Sequence, residues 1–584
     1  MQPTQIAYGN VKLTRSVALS AKLSCCAKCS RVYFDVFILG NTLRYGILLE
    51  VSIMDLPKLL KDVKEILNDD GNYQHLSNQE IYKPSIQIDR RNVYFILHIP
   101  NSEGIIQKKM VVYENRLTIG DFDPVQEMQD RDSMLIVGDL NEKNNNALAK
   151  RFRWIRPTSR RNYKYTFGLG DRLGNASNAH LRLFKGRGIM PVLAQQSIRE
   201  LVLMHRTNTD VFQSASWAVF EEGFTYGWGA DGDHVKTPYE VDYAVKVGCS
   251  MITLDCTEEI HNDVVNLAEA ELDKRFNDLD ADQIAYFNKT YLNQTFKVGN
   301  SEVKFTKHDV EESVLTFYDA ILFAANIYKD FVVPYNLDFE ISMDETPYQT
   351  TNANHFFFAN ELHRRGITPT TMAPRFYGEF QKAIDYIGDT ARFEREFVVH
   401  EAIAEHFGYK LSIHSGSDKL SVYEIIGRVA KKHGWHVKTA GTNWLEALRV
   451  IAHKDPQFMV ELYRFAYENL DDVKDFYVFN AQTDGTAPKP DDINVENVMG
   501  LLNNDDARQI LHTMYGSIMN LKHNFHYVYR DKFWNILLKN QDLYDKYLNI
   551  HIAEHLDLLQ GIVKTKAEAL EKHEPKENIS QTVQ

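Results

Sequence analysis

Hydrophobic and polar positions follow two different patterns along the chain. Behind Asp55 and Pro57, which can cap and open a helix, apolar side chains recur at helical spacing as far as Leu67. From about Tyr82 to Gly138, short apolar runs alternate with turns, a pattern that predicts strands. We therefore expect a small α+β domain over residues 54–160.

From Tyr163 onward the pattern alternates between short β-prone runs and helical stretches. The eight runs are Tyr163–Gly168, Ile189–Leu193, Trp228–Val235, Met251–Cys256, Phe339–Met343, Thr370–Arg375, Lys410–His414 and His436–Ala440. Eight alternating units favour a TIM-type (β/α)₈ barrel over 161–455, although periodicity alone leaves an open sheet possible. Residues 257–335 interrupt the rhythm as a helical, acidic insertion, and 456–584 form a C-terminal helical region.

Residues 1–53 differ from the rest of the chain. They are basic in an acidic protein, with six Lys and Arg against Asp35 and Glu50, and they contain Cys25, Cys26 and Cys29. We interpret them as unstructured and outside the working enzyme, as if translation began at Met54 and the start site had been assigned too far upstream. The alternative is a disordered or targeting arm.

Charge and cysteine content limit the classes of function. The net charge is −13 and no long basic run occurs, which argues against nucleic-acid binding and requires local cations for any anionic substrate. Five cysteines in 584 residues form no disulfide framework, and no apolar run reaches about 18 residues. We expect a soluble cytoplasmic protein with no membrane segment.

Ionisable side chains stand where nearly every predicted strand ends, and TIM barrels place their chemistry at that edge. His234 and His414 are the best metal-ligand candidates, with Glu379 or Glu345 as the carboxylate. Imidazole and carboxylate together suit a divalent Mn, Co, Ni or Zn. Several cations could neutralise an acidic ligand; they are Arg172, Lys236, Arg375, Lys382 and Lys419. Asp171 and Asp418, at the first and seventh strand ends, are added as substrate-binding candidates.

Two motifs point to other functions but lack part of what those functions need. His551-Ile-Ala-Glu-His555 matches an inverted zinc-protease motif, yet only 29 residues follow it to supply a further ligand. Gly168-Leu-Gly170 lacks the third glycine of a dinucleotide fingerprint. We expect neither a protease nor a nicotinamide site.

Four motifs at the strand ends resemble the tagaturonate/fructuronate epimerase family. They are Gly229–Lys236, Phe376–Asp389, Lys410–Lys419 and Lys438–Trp444, and the resemblance covers roughly residues 55–565. It implies a divalent-metal enzyme of hexuronate catabolism that interconverts two small keto-uronates, D-tagaturonate and D-fructuronate. It further implies that Asp233 accepts a proton, that His234 and His414 bind the metal, that Glu379 is the third ligand and that Glu345 donates the proton.

With the ketone numbered C2 and the carboxylate C6, the two implied sugars differ only at C4. The C–H bond of C4 is beta to both carbonyl groups and is therefore not acidic. A retro-aldol cleavage of C3–C4 followed by aldol re-formation avoids this obstacle, with carboxylates moving a proton on and off O4. Two alternatives stay open. One is a metal-dependent aldolase or ketose isomerase on the same barrel, and the other is a non-catalytic sugar-binding protein.

Overall fold

The structure is a computed structural model. It describes residues 54–573 except positions 70, 72, 440, 474–479 and 482–484, and in addition the backbone of three short strands near the N-terminus. In this described part of the chain, no helix is long and apolar enough to cross a membrane.

The three N-terminal strands form an antiparallel sheet of their own: Ala21–Cys25, Val32–Ile38 and Asn41–Ile47. They differ from the absence of regular structure expected for residues 1–53. The run Val-Tyr-Phe-Asp-Val-Phe-Ile is rich in β-branched and aromatic residues, which favour strands. That residues 1–53 are dispensable stays a prediction.

The small N-terminal domain packs helices on both faces of an antiparallel sheet. Asp55 caps the helix Leu56–Leu67 by accepting from the Lys58 backbone N–H, and this helix covers one face of the sheet. The other face packs against the helix Glu142–Arg151 and against Trp217 and Phe220 of a barrel helix. In spatial order the strands are Ile81–Asp89, Asn92–Pro100, Ile106–Asn115, Ser133–Gly138 and Pro124–Asp130.

The central domain is a closed barrel of eight parallel strands, as the sequence predicted. In chain order the strands are Tyr165–Leu169, Met190–Leu193, Gly229–Val235, Met251–Asp255, Asp338–Ser342, Thr371–Ala373, Lys410–Ile413 and Trp435–Thr439. We number them first to eighth. Each starts and ends within two residues of its predicted run, and the eighth pairs with the first to close the barrel.

Helices surround the barrel: Ser177–Phe184, Ile198–Met204, Asn208–Glu221, Pro238–Val247, Asn352–Arg364, Thr390–Phe407, Leu420–Val429 and Thr442–Lys454. The insertion after the fourth strand contains the helices Glu269–Asn277, Ala281–Tyr291, Lys307–Ile327 and Val333–Tyr335, with a π-helical turn at Tyr328–Val332. It also contains a hairpin, Thr295–Val298 with Ser301–Lys304, beyond the helical pattern that the sequence indicated.

The C-terminal region is helical, with the helices Pro456–Glu468, Asp505–Thr513, Tyr515–Asn520, Arg530–Lys539, Gln541–Leu559 and Lys566–His573 and a small hairpin, Lys522–His523 with His526–Tyr527. Short 3₁₀ turns lie at Tyr73–His75, Ile119–Asp121, Arg153–Ile155, Thr257–Glu259, Leu470–Val473, Pro490–Asp492 and Val498–Asn503. The long helix Gln541–Leu559 packs against Ser177–Phe184, Leu420–Val429 and Thr442–Lys454. The C-terminal region is thereby fastened to the side of the barrel near its closure.

Candidate active site

A polar cavity lies at the carboxyl ends of the barrel strands. Its lining comes from barrel strands and loops and from the C-terminal helical region: Arg172, Gln195, Ser197, Arg199, Glu200, Asp233, His234, Asp344, Glu345, Lys382, Ala383, His414, Ser415, Ser417, Lys438, Gly441 and His512. A parallel barrel directs the ends of all its strands to one face, so residues far apart in sequence meet there.

Two histidines and a carboxylate converge in this cavity. The rings of His234 and His414 are 5.1 Å apart between centroids, and Asp344 places Oδ1 2.8 Å from Nδ1 of His414. One potential ligand atom from each of the three residues lies within 4.8 Å of the others. Asp255 approaches from the other side, with Oδ2 3.6 Å from Nδ1 of His234.

A buried glutamate orients His414. Nε2 of His414 lies 2.7 Å from Oε1 of Glu340, which projects from the fifth strand and is fully buried. A carboxylate on one imidazole nitrogen fixes the tautomer and turns the other nitrogen toward the site, as second-shell partners of metal-binding histidines do. Nδ1 of His414 is therefore the nitrogen that faces Asp344.

A break in strand pairing brings Asp233 and His234 into the cavity together. Pairing between the third and fourth strands shifts register between Gly232 and Val235, and His234 adopts a left-handed backbone with φ of 53°. Regular strands send neighbouring side chains to opposite faces, whereas a bulge re-aims one of them. The irregular backbone thus lets two consecutive side chains line one site.

Lys438, from the eighth strand, is surrounded by acidic groups. Its Nζ lies 2.5 Å from Asp233 Oδ1, 2.8 Å from Asp231 Oδ2 and 3.1 Å from Glu340 Oε1. Burial alone would lower the pKa of Lys438, but these carboxylates raise it well above its ordinary value. Burial would likewise raise the pKa of Asp233, but Lys438, His234 and His414 together outweigh this and lower it. Asp233 is thereby kept ionised.

The histidines and their carboxylates carry an excess of negative charge that suits a cation. Burial favours neutral His234, yet Asp233 and the other neighbouring carboxylates together raise its pKa to about 10. Burial opposes ionisation of Asp255, yet His234 lowers its pKa to about 2. The buried Nδ1 atoms of His234 and His414 and Oδ2 of Asp255 have no partner in hydrogen-bond geometry among the described residues. This donor set fits a mid-row divalent metal.

The structure brings several of the predicted residues into the cavity. Asp233, His234, Glu345, Lys382 and His414 line it, and Lys382 Nζ donates to Ser415 Oγ at 2.8 Å. Glu345 lies beside His234 and forms a 3.5 Å ion pair with Arg199. Predicted Arg172 also lines the cavity, but its guanidinium is paired with Glu200 at 2.6 Å.

Glu379 and Arg375, predicted as third ligand and substrate cation, do not join the histidines. They pair with each other at 3.3 Å, and the Glu379 side chain is 45% exposed. Both line a wider cavity of about 740 Å³ that adjoins the first. An antiparallel bridge between Glu379 and Ile387 folds this segment back on itself, and Asp344 is the carboxylate that stands with the histidines.

Four other predicted residues have structural partners. Asp171 accepts from the backbone N–H groups of Gly174 and Ala176, and Lys236 pairs with Asp255 at 3.6 Å and with Glu258 at 3.4 Å. Asp418 pairs with Arg508, and Lys419 donates to three backbone carbonyl groups. Asp171, Lys236, Asp418 and Lys419 are not among the residues that line the cavity of the histidines.

Sequence reasoning assigned no role to Asp344, Asp255, Glu340 or Lys438. A signal was present for Glu340, because Asp338-Phe-Glu-Ile-Ser342 alternates polar and apolar residues and so turns Glu340 into the barrel. The same alternation in His436-Val437-Lys438 turns Lys438 inward.

Comparisons with known proteins agree with the geometry. The sequence model of the family described as "UxaE: tagaturonate epimerase" matches residues 82–559. The chain is 37% identical over 428 residues to the tagaturonate/fructuronate epimerase of Thermotoga maritima, an alignment that covers 72% of this chain and 86% of that protein.

Solved structures of the fructuronate-tagaturonate epimerase UxaE from Cohnella laeviribosi have the same fold. The native crystal structure is 36% identical and a glycerol complex is 35% identical, each with a TM-score of 0.78 and with coverage of 86% of this chain and 99% of theirs. The barrel, its N-terminal sheet domain and its C-terminal helices therefore recur as a unit. On this evidence, the chain belongs to the tagaturonate epimerase family.

Proposed function

We propose that this chain interconverts D-tagaturonate and D-fructuronate by inverting C4, with a divalent metal held by His234, His414 and Asp344. The observation that carries the proposal is the convergence of two imidazoles and a carboxylate beside ionised Asp233, at the mouth of a barrel of this family. Asp344 replaces Glu379 as the proposed third ligand because it lies within reach of both histidines.

The proposed site supports an electrophile at the carbonyl end of the substrate. A divalent Mn, Co, Ni or Zn ion bound there would act as a Lewis acid toward the C2 carbonyl group. Glu340 would hold the His414 ring in place through its 2.7 Å contact, and Asp255 lies next to His234. All three proposed ligands thus lie on a strand or within two residues of a strand end.

The reaction needs no removal of the C4 hydrogen. A base takes the proton of the C4 hydroxyl group, the C4–O bond becomes an aldehyde C=O, and the C3–C4 bond breaks. Its electron pair stays with C3 and delocalises into the C2 carbonyl group. After the aldehyde half turns its other face toward C3, the same pair re-forms C3–C4 and the proton returns to O4. No atom or electron enters or leaves.

Asp233 and Glu345 are the groups proposed to move that proton. Asp233 is kept ionised by Lys438, so it can accept a proton, and its 2.5 Å contact with the ammonium fixes its position. Glu345 also lies beside His234 and is 36% exposed on its side chain, so it can exchange protons with solvent. Both carboxylates line the cavity together with the two histidines.

Cations in the cavity would receive the carboxylate of the keto-uronate. Lys382 and Arg199 both line the cavity, and Lys382 already donates to Ser415 across the loops that follow the sixth and seventh strands. Because the protein as a whole has a net charge of −13, such local cations are needed for an anionic substrate.

Incubation of the metal-loaded protein with D-fructuronate, followed by NMR, tests this function. We expect D-tagaturonate to accumulate to an equilibrium mixture, with no solvent deuterium at C4 because that C–H bond is never broken. Two three-carbon fragments without the epimer would indicate an aldolase. Metal binding without any turnover would indicate a sugar-binding protein.

A further inference from the structure

A second cluster of ligand-type residues lies in the described part of the chain, behind the active site. Asp418, His551 and His555 place one potential ligand atom each within 4.8 Å of one another. However, Nδ1 of His555 donates to the carbonyl group of His551 at 2.6 Å, and Nε2 accepts from the Asp418 backbone N–H at 2.9 Å. With both ring nitrogens committed to the backbone, His555 has none left for a metal.

Two loops at and near this cluster have strained backbone. Ala383, in the loop after the sixth strand, has φ of 64°, and Ser415 and Asp418, after the seventh strand, have φ of 48° and 64°. Residues with a Cβ rarely adopt this left-handed region, and they keep it only where surrounding contacts enforce it. These two loops carry Lys382 and Ser415 of the active-site cavity.

Arg508, from the C-terminal helix Asp505–Thr513, bridges the two loops. Its Nε donates to the carbonyl oxygen of Ala383 at 2.8 Å, and its Nη2 lies 3.0 Å from Oδ2 of Asp418. Its Nη1 donates to the carbonyl oxygen of Leu502 at 2.9 Å, which ties the guanidinium to its own region. The fixed fork of a guanidinium suits such a three-way contact.

We propose that Arg508 is a positioning residue that holds Lys382 and Ser415 in the geometry in which they meet the substrate. The inference rests on the proposed function for its substrate. Arg508 touches neither side chain; it acts through the carbonyl group of Ala383 and the side-chain carboxylate of Asp418. The C-terminal helical region is thereby a working part of the active site.

Neighbouring contacts support the same arrangement. Gln509, next to Arg508, donates to Oε1 of Gln381 at 3.0 Å, and Lys419 donates to the carbonyl groups of Gln381 and Ile384 at 2.7 and 2.6 Å. The acceptor of each of these hydrogen bonds belongs to a residue within three positions of Lys382. Lys419 thus joins the two loops directly, and Arg508 joins them from the C-terminal region.

A double-mutant cycle tests the proposal. Arg508→Met should raise KM for D-fructuronate on the order of tenfold to a hundredfold, because small misplacements of binding groups are costly. Arg508→Lys, which keeps the charge beside Asp418, should recover part of the loss. In a Lys382→Met background, Arg508→Met should add no more than about twofold, since coupled residues are not additive. Effects that multiply would overturn the proposal.

Arg187→Met is the matched control. Arg187 is also largely buried and pairs with a carboxylate of the C-terminal region, Asp557, at 2.8 Å, but it precedes the second strand at the opposite end of the barrel. We expect KM to stay within about twofold of the parent while stability falls, because a half-buried ion pair is lost. A KM rise equal to that of Arg508→Met would show general loosening and overturn the proposal.

Hydrogen exchange separates this inference from the proposed function. In Arg508→Met, or in Arg508→Lys if the first variant does not fold, amides of 381–385 and 415–419 should exchange faster than in the parent, whereas Arg187→Met should leave them unchanged. Unchanged exchange in the Arg508 variants would overturn the positioning role. A parent chain that does not turn over keto-uronates would refute the proposed function, and the exchange result would still decide the role of Arg508.

Discussion

Two clusters of histidine and carboxylate differ in what their imidazole nitrogens contact. In the barrel mouth, one nitrogen of His414 contacts buried Glu340 and the other faces Asp344. Behind it, both nitrogens of His555 are bonded to backbone groups. Each cluster consists of two histidines and an aspartate whose potential ligand atoms lie within 4.8 Å of one another. The hydrogen-bond partners of each ring therefore decide whether it is available to a metal.

The carboxylates do not distinguish the two clusters, because each cluster contains an ionised one. Burial opposes ionisation of Asp418, but Arg508, His551 and His555 lower its pKa to about 2. His234 lowers the pKa of Asp255 to about 2 against the effect of burial, so a negative charge persists in the barrel mouth. Burial raises the pKa of Glu554, next to His555, to about 8, with Glu446 and Asp418 adding to the rise. Both clusters thus keep a negative charge, and the contacts of the imidazole nitrogens are what distinguishes them. Glu554 adds a neutral acid on the packed helix beside the second cluster.

Removing a ring from the first cluster should have the largest effect. His414→Ala and His234→Ala should lose the bound metal and reduce epimerisation to background, as measured by elemental analysis and NMR turnover. His551→Ala, in the second cluster, should keep the active-site metal and retain an activity within a few-fold of the parent. Loss of metal from a folded His551→Ala protein would contradict the distinction between the clusters.

Asp233→Asn should cause the second-largest loss of activity. The amide is nearly isosteric but cannot accept the hydroxyl proton, so kcat should fall roughly 10²–10⁴-fold with the metal content unchanged. Elemental analysis of the same preparation that is used for kinetics is the check. If the variant arrives without metal, Asp233 is a ligand and the roles of the adjacent pair Asp233 and His234 need to be exchanged.

Glu340→Gln should have an intermediate effect through His414. Loss of the orienting carboxylate should weaken metal affinity by about 10–100-fold, in line with other second-shell partners of metal-binding histidines. Titration of the metal-free variant with Zn or Co measures this directly. An affinity equal to that of the parent would show that the 2.7 Å contact does not orient the ring.

Glu554→Gln should give the smallest effect, which is a gain in the stability of the folded protein. Because the folded-state pKa of Glu554 is raised from 4.5 to about 8, the folded protein holds a proton that the unfolded chain releases, and stability falls as pH rises across that window. The glutamine variant escapes this loss and should be more stable by about 1–3 kcal/mol near pH 8. The difference should vanish near pH 4 in denaturant titrations, and a difference independent of pH would exclude the protonated acid.

The barrel was predictable from the sequence because strand and helix periods are local. All eight strands lie within two residues of their predicted runs, and His234 and His414 were placed from strand ends alone. Side-chain contacts across the barrel were not predictable from the sequence. The contact between Lys438 and Glu340, for example, joins residues 98 positions apart and depends on how the barrel closes.

The direction of side chains in the loops could not be predicted from the sequence either. Glu379 follows the sixth strand as expected, but a local bridge and Arg375 keep it from the histidines. Asp418 and Lys419 follow the seventh strand, yet they contact Arg508 and backbone carbonyl groups of neighbouring loops. The packing of the C-terminal region, which has no local signature in those loops, decides where they face.

Metal removal and return is the most direct test of the central claim, that a cation held by His234, His414 and Asp344 is required for epimerisation. The protein should contain a bound divalent ion. EDTA should remove it together with activity, and Mn, Co, Ni or Zn should restore both. Full turnover of D-fructuronate by protein that elemental analysis shows to be metal-free would contradict the account.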